Sequence, residues 1–309
     1  MERYRPIHTQ TIATDGALRS LHDYGKPDFP ARLYLDDFAK MPIGRVSWHW
    51  HEQLEFTYVL KGEIDYSVGE RQARLRKGEG MFVNAGRLHM FRPAWESDEP
   101  LAFSLVFSPA MLAHGAESAA YRKYVLPIAQ DRSVPFFPLR RDVPWQREIL
   151  DALLHLRDLF DRQPFGFELM VQTELMRAWQ TLLLNLKRQD GQDTAAGAAE
   201  ERLKKMLALI QARYGEALRL EDIAAAASVS KSECIRCFKK ALGLTPVEYL
   251  IEYRLTRAAE LLAGTDLPVF EVGLRCGFES ASYFAKMFRR RTGVTPLAFR
   301  RRREGPVPG

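Results

Sequence analysis

The sequence predicts an α+β chain of several domains: an antiparallel β-barrel followed by a pair of helices, then an all-α domain of two helix-turn-helix units. Three observations predict it. Near the C-terminus a segment repeats at a period of about 50 residues, each time as helix, turn, helix. Between Ser47 and Pro93 apolar and polar side chains alternate at period two, with glycines at the turns, as short antiparallel strands require. Between these regions lies QDGQDTAAGAAE, Gln189 to Glu200, which is poor in bulky side chains and reads as a linker. The 309 residues therefore divide into an arm (1–30), a barrel (31–143), a helical segment (144–188), a linker (189–199) and the all-α domain (200–303). The barrel region and the all-α domain are each long enough to bury a core of their own.

The arm carries Pro6, Gly16, Gly25, Pro27 and Pro30, reads as loosely structured, and is placed to fold over the mouth of a pocket. In the barrel, Leu54, Phe56, Tyr58 and Leu60 alternate. His49, His51 and Glu55 are separated by even numbers, so on an unbroken strand they share one face, which in a small barrel is the inside. Together with His89 and Tyr58 they are the candidate pocket residues. Three readings stay open: a divalent-metal site of three imidazoles and a carboxylate, polar groups around a small molecule, or histidines satisfied in the core. Phe56, Tyr66, Phe82 and Phe91 are available to line the cavity, while Trp48 and Trp50 should face outward. Two amphipathic helices follow, residues 144–162 and 165–187. Their apolar stripes are wide enough for packing on the barrel and for a dimer contact.

In the all-α domain, Ile223, Ala224, Ser228 and Val229 align with Val272, Gly273, Gly277 and Phe278. Phe238, Gly243, Thr245 and Pro246 align with Phe288, Gly293, Thr295 and Pro296, with one residue gained in the second turn. Ser230 with Glu233 has the spacing of a capping box, and Ser280 is the matching cap. Gly243 and Gly293 end these helices, and Thr-Pro opens the next. The joining helix, residues 246–263, spans roughly 27 Å. Along it Tyr249, Leu250, Tyr253, Leu255, Leu261 and Leu262 should bury against both units. Cys234 and Cys237 form a CxxC, but with only Cys276 elsewhere and no second pair they read as small core residues rather than zinc ligands or a redox pair.

With GFESASYFAKMFRRRTGVTP (Gly277 to Pro296) and then Phe299-Arg300, residues 200–303 resemble the AraC/XylS family of bacterial transcription regulators. The spacing His49-x-His51-x3-Glu55-x6-Gly62, then Gly80-x5-Gly86-x2-His89, is similar to the two motifs of the cupin barrel, with Asn84 and Pro93 departing from the usual proline and asparagine. The first resemblance implies that the second helix of each unit enters a major groove. Its carried-over contacts are Lys231, Ser232, Ile235 and Arg236 in the first unit, and Ala281, Ser282, Ala285 and Lys286 in the second. Ala281 and Ala285 cannot hydrogen-bond, so the first unit should carry more sequence information. Charge agrees: 20 basic against 13 acidic residues from position 200 onward, 25 against 26 before it. Arg289, Arg290, Arg291 and Arg300 to Arg303 are candidates for phosphates.

These readings imply a regulator of promoter DNA that works with RNA polymerase, is controlled by a small-molecule effector in the barrel, and is a homodimer. Activation is the commoner mode in such a family, with repression as the alternative. No cofactor is required, although a divalent metal is compatible. The competing class is a cupin metalloenzyme or metal sensor fused to a DNA-binding module. No signal peptide or long apolar run is present, so the chain is expected in the cytoplasm, away from membranes.

Overall fold

The structure is a computed structural model. It describes residues 4–9, 11–15, 18–41, 44–69, 71–95, 97, 99–113, 117–131, 134, 136–186 and 194–303. The chain divides after Glu200 into two compact units.

The first unit contains β1 (Ile7–His8), β2 (Ala31–Asp37), β3 (Val46–His49), β4 (Leu54–Lys61), β5 (Glu63–Val68), β6 (Arg71–Arg76), β7 (Gly80–Val83), β8 (His89–Pro93), β9 (Leu101–Phe107) and β10 (Phe136–Leu139). They form a six-stranded sheet in the order β1-β2-β9-β4-β7-β10 and a four-stranded sheet in the order β3-β8-β5-β6. The unit also contains a 3-10 turn at Pro109–Leu112, a π-helical turn at Tyr121–Val125 and helices α1 (Leu126–Ala129), α2 (Pro144–Arg162) and α3 (Phe167–Asn185). Apolar side chains from both sheets, among them Val59, Met81, Ile64, Tyr66 and Phe91, meet in one buried cluster that is the barrel interior.

Strand β4 is buried on both faces, and this corrects one expectation. Leu54, Phe56 and Tyr58 do not look into the barrel. With Phe82, Phe103 and Leu105 they belong to the core shared with α2 and α3, where Tyr58 stacks on Phe103 at 5.5 Å and Phe82 meets Trp179 edge-on at 6.0 Å. The apolar alternation marks the helix-packed face, and the interior face carries Glu55, Thr57 and Val59. Trp48, expected to face outward and cover the barrel or meet the DNA module, is buried. The N-terminal arm is more ordered than its prolines suggest: β1 pairs in parallel with β2, and Arg19 bridges to Trp50.

Helix α3 starts two residues later than the sequence indicated, because Gly166 takes φ 79° ahead of it. Of the expected linker, residues 189–193 lie outside the described residues. From Thr194 onward the chain is already helix α4 (Thr194–Arg213), which its alanines favour.

The second unit continues with α5 (Leu220–Ala226), α6 (Lys231–Leu242), α7 (Pro246–Gly264), α8 (Val269–Arg275), α9 (Ala281–Thr292) and α10 (Pro296–Arg303). The repeat is realised with its inserted residue, Glu279, in the second turn. Ser228 and Gly277 hold the same place in the two turns and both are left-handed, with φ 54° and 79°. At Gly277 a Cβ would also lie 2.7 Å from the Tyr214 carbonyl oxygen, so glycine is required twice over. Helix α7 is 19 residues long, about 28 Å. It buries Tyr249, Leu250, Leu255 and Leu262, while Tyr253 and Leu261 are only half-buried. From α7, Arg254 donates to the carbonyl oxygens of Tyr214 (2.7 Å) and Glu216 (2.6 Å), fixing the end of α4. Glu252 holds Arg291 of α9 at 2.7 Å.

Candidate functional site

Helices α6 and α9 are positioned by their caps and by what they bury. The Ser230 hydroxyl accepts from the Glu233 N–H at 3.2 Å and the Ser280 hydroxyl from the Tyr283 N–H at 3.3 Å, each satisfying an N-terminal donor. Cys234, Cys237 and Phe238 of α6, and Phe284 and Phe288 of α9, are buried. All three cysteines are unpaired and buried, and burial pushes the Cys234 thiol up to about 11, which suits core packing. The opposite face is open: Lys231, Ser232 and Arg236 are exposed with Ile235 half-buried, and Ala281, Ser282, Lys286, Arg289 and Arg290 are exposed with Ala285 half-buried.

The two faces differ in charge. On the first, Lys231 pairs with Glu221 at 2.6 Å and Arg236 with Glu233, whose carboxyl falls to about 2 through its hydrogen bond from Arg236. On the second, Lys286, Arg289 and Arg290 have no ion-pair partner among the described residues. The second face thus presents point charges, and the first a charge already engaged.

In the first unit β3, β4, β8 and the connection between β3 and β4, which carries His51, bring His49, His51, Glu55 and His89 together; the unbroken strand expected through residues 49–55 is interrupted, since β3 ends at His49 and β4 starts at Leu54. All are buried, and their ligand atoms lie within 4.8 Å of one another. Each ring is tethered through Nδ1 to a backbone carbonyl: His49 to Ser47 at 2.9 Å, His51 to Gln53 at 3.1 Å, His89 to Arg87 at 2.8 Å. A carbonyl only accepts, so each Nδ1 carries a proton and each Nε2 is left for the interior. The Nε2 atoms of His51 and His89 both lie 3.1 Å from Glu55 Oε2. Burial holds the His51 ring below its ordinary pKa and that of His49 well below it. Burial alone would raise the Glu55 carboxyl, but His89 and His51 outweigh it and keep it well below the usual carboxylate range. A neutral ring whose Nδ1–H is committed turns only a lone pair to this carboxylate, so a proton or a cation must hold them together. Imidazole and carboxylate donors converging in this way fit a divalent transition-metal ion.

Other residues support the cluster, and of these the sequence reading named only Tyr66, as an aromatic available to the cavity. Thr57 and Tyr66 donate to Glu55 Oε1 at 2.8 and 3.1 Å. The Thr57 and Ser104 hydroxyls lie 3.3 Å apart, Ser104 donates to Asp36 at 3.1 Å, and Thr9 of the arm donates to Asp36 at 2.6 Å. Burial pushes the Asp36 carboxyl up to about 7. Thr57 stands two residues after Glu55 and was legible by alternation; Asp36 and Ser104 reach the site only through strand pairing. Beside the cluster is a cavity of about 20 Å³ whose walls include Thr9, Ile12, Tyr24, Asp36, His49 and Glu55. Tyr58 lies on the other face of its strand, away from this cavity.

Residues 223–302 match a helix-turn-helix domain family and residues 38–107 a cupin domain family. The chain is 30% identical over 292 residues to the uncharacterized HTH-type transcriptional regulator YdeC of Bacillus subtilis, covering 94% of this chain and 99% of that protein. It is 22% identical over 256 residues to the melibiose operon regulatory protein of Escherichia coli, covering 82% and 83%. A crystal structure of an AraC-type transcriptional regulator from Chromobacterium violaceum is 34% identical, with TM-score 0.34, over 36% of this chain and 99% of that one. Among the described residues no helix is long and apolar enough to cross a membrane.

Proposed function

The chain belongs to the AraC-type helix-turn-helix regulators of transcription, and from that premise we propose a one-component regulator. In this reading α6 and α9 enter successive major grooves of promoter DNA, and a ligand inside the barrel sets how tightly they do so. The duplicated pair of capped helices on the 19-residue α7 carries the DNA reading. Its test is binding of the purified protein to its own upstream region against random duplex at moderate ionic strength, where equal affinity for both would end it.

The barrel ligand best supported is a divalent transition-metal ion held by His49, His51, Glu55 and His89. What such an ion would supply is positive charge between β3, β4 and β8. The tethered Nδ1 atoms keep the donors in place, and Thr57 and Tyr66 keep the Glu55 carboxylate oriented. Metal analysis of protein purified without chelator, with thermal melts across added manganese, iron, nickel and zinc, tests this. At a hundredfold excess over Kd the native state gains about 2.7 kcal/mol, and His89→Ala should abolish the gain; stabilisation that survives in that variant would refute the assignment.

A second reading, an organic effector, rests on the arm. The cavity holds about one water as it stands, so a sugar-sized molecule needs the wall formed by Thr9, Ile12 and Tyr24 to move. Deleting the arm should then change ligand-dependent DNA binding. The same donors could serve oxygen chemistry in an enzyme, but fusion to a two-reader DNA module favours sensing. Homodimerisation is supported by α3, which leaves Leu169, Met176 and Leu184 exposed at near-heptad spacing; a purely monomeric sedimentation profile at micromolar concentration would count against it. Action in the cytoplasm with RNA polymerase, as an activator, completes the proposal.

A further inference from the structure

Helix α6 uses its first-turn glutamate in an unexpected way. Ser230 and Glu233 have the spacing of a reciprocal cap, and half of that cap forms, the Ser230 hydroxyl taking the Glu233 N–H. The fold can close the full box, as it does at α7, where Glu248 accepts from the Thr245 N–H at 2.6 Å and Thr245 from the Glu248 N–H at 3.2 Å. At α6 the carboxylate turns along the helix instead. It accepts from Arg236 Nε at 2.8 Å and Nη2 at 2.7 Å, and the Cys237 thiol donates to it at 3.5 Å. The Arg236 side chain remains 65% exposed and that of Glu233 only 27%, so the carboxylate sits against the helix and the guanidinium stands out from it.

This fork takes up the Nε edge of the guanidinium, and the end of the group is formed by Nη1 and the second Nη2 hydrogen. Two parallel N–H groups at that end match the O6 and N7 acceptors of guanine. A flexible arginine loses side-chain freedom on binding, and one already held loses less. The carboxylate also opposes the alternative use, because a negative charge at this place repels the phosphates on which a loose arginine would otherwise settle. The second unit is built differently: at the equivalent positions of α9 stand Tyr283 and Lys286, and a lysine is a rotatable point charge suited to phosphate.

We propose that Glu233 is a positioning residue for specificity, holding Arg236 so that its outer edge reads a guanine in the major groove. The inference rests on the DNA-binding reading above and adds which base class the first unit selects and what fixes that choice.

The test uses the full chain and a duplex library with a randomised core, selected in parallel with wild type, Arg236→Ala and Glu233→Gln, with sequencing of the bound fraction. Wild type should enrich a motif, and Arg236→Ala should flatten one guanine position within it. Glu233→Gln should flatten that same position, by roughly tenfold in guanine preference, and leave the others intact, with affinity for random duplex equal to wild type or higher. Its melting temperature should not fall, since the cap uses the backbone N–H of residue 233. If Glu233→Gln keeps the full guanine preference, or Arg236→Ala flattens no single position, Glu233 does not position a base reader. If wild type enriches no motif at all, the DNA reading fails first and takes this inference with it.

Discussion

Asp36 shows how burial, helped by the nearby Glu55 carboxylate, gives a side chain an unusual property. Its carboxyl moves from 3.8 to about 7 chiefly by burial, despite hydrogen bonds from Thr9 and Ser104. Between those two values the folded state holds a proton that the unfolded chain has released. The contribution of Asp36 to stability is therefore greatest at low pH and falls as pH rises through the window, by at most about 1.4 kcal/mol per pH unit. Asp36→Asn should remove this slope, so the variant gains on wild type as melts are repeated toward pH 7; a constant difference would show that Asp36 is ionised throughout. On the DNA face, Arg236→Ala should cost about 1–3 kcal/mol at a cognate duplex and much less on random sequence, read by fluorescence anisotropy. Residue types and spacing brought His49, His51, Glu55 and His89 to notice, although the unbroken strand assumed for the first three is not formed: His49 ends β3, His51 lies between strands and Glu55 belongs to β4. Asp36 and Ser104 were invisible, since nothing local says which strands will lie side by side.

At the scale of elements, the helices were the most legible parts and the faces of β4 the least. Capping residues, closing glycines and buried stripes are local signals, and the α6 and α9 ends fall where they indicate. In β4 both faces are buried, so apolar alternation marked a buried side without saying which layer lay behind it, and Tyr58 was assigned to the wrong one. The turns of the two reader units make a sharper comparison. Gly277→Ala places a side chain at φ 79° and 2.7 Å from a carbonyl oxygen, so it should destabilise the C-terminal unit by roughly 1–3 kcal/mol. Ser228 already tolerates φ 54° in the matching turn, and Ser228→Gly should be neutral or slightly stabilising. Thermal melts of the two variants check the pair, and equal effects would mean that the turns are not equivalent.

For the whole molecule, basic residues outnumber acidic ones only after position 200, so affinity for any duplex should fall steeply with salt. Arg289→Ala and Arg290→Ala should each reduce the slope of log K against log salt by about 1 without changing sequence preference. A variant that keeps the wild-type slope does not touch phosphate. Alanines chosen for small size also build helix, so α4 begins inside the expected linker. The buried string from Thr9 through Asp36, Ser104 and Thr57 to Glu55 bears on ancestry as well. Each member desolvates the next, so losing one leaves its neighbours stranded without hydrogen bonds. If the barrel holds the proposed ion, lineages that lose it should therefore shed these positions as a block, turning apolar together rather than drifting one at a time.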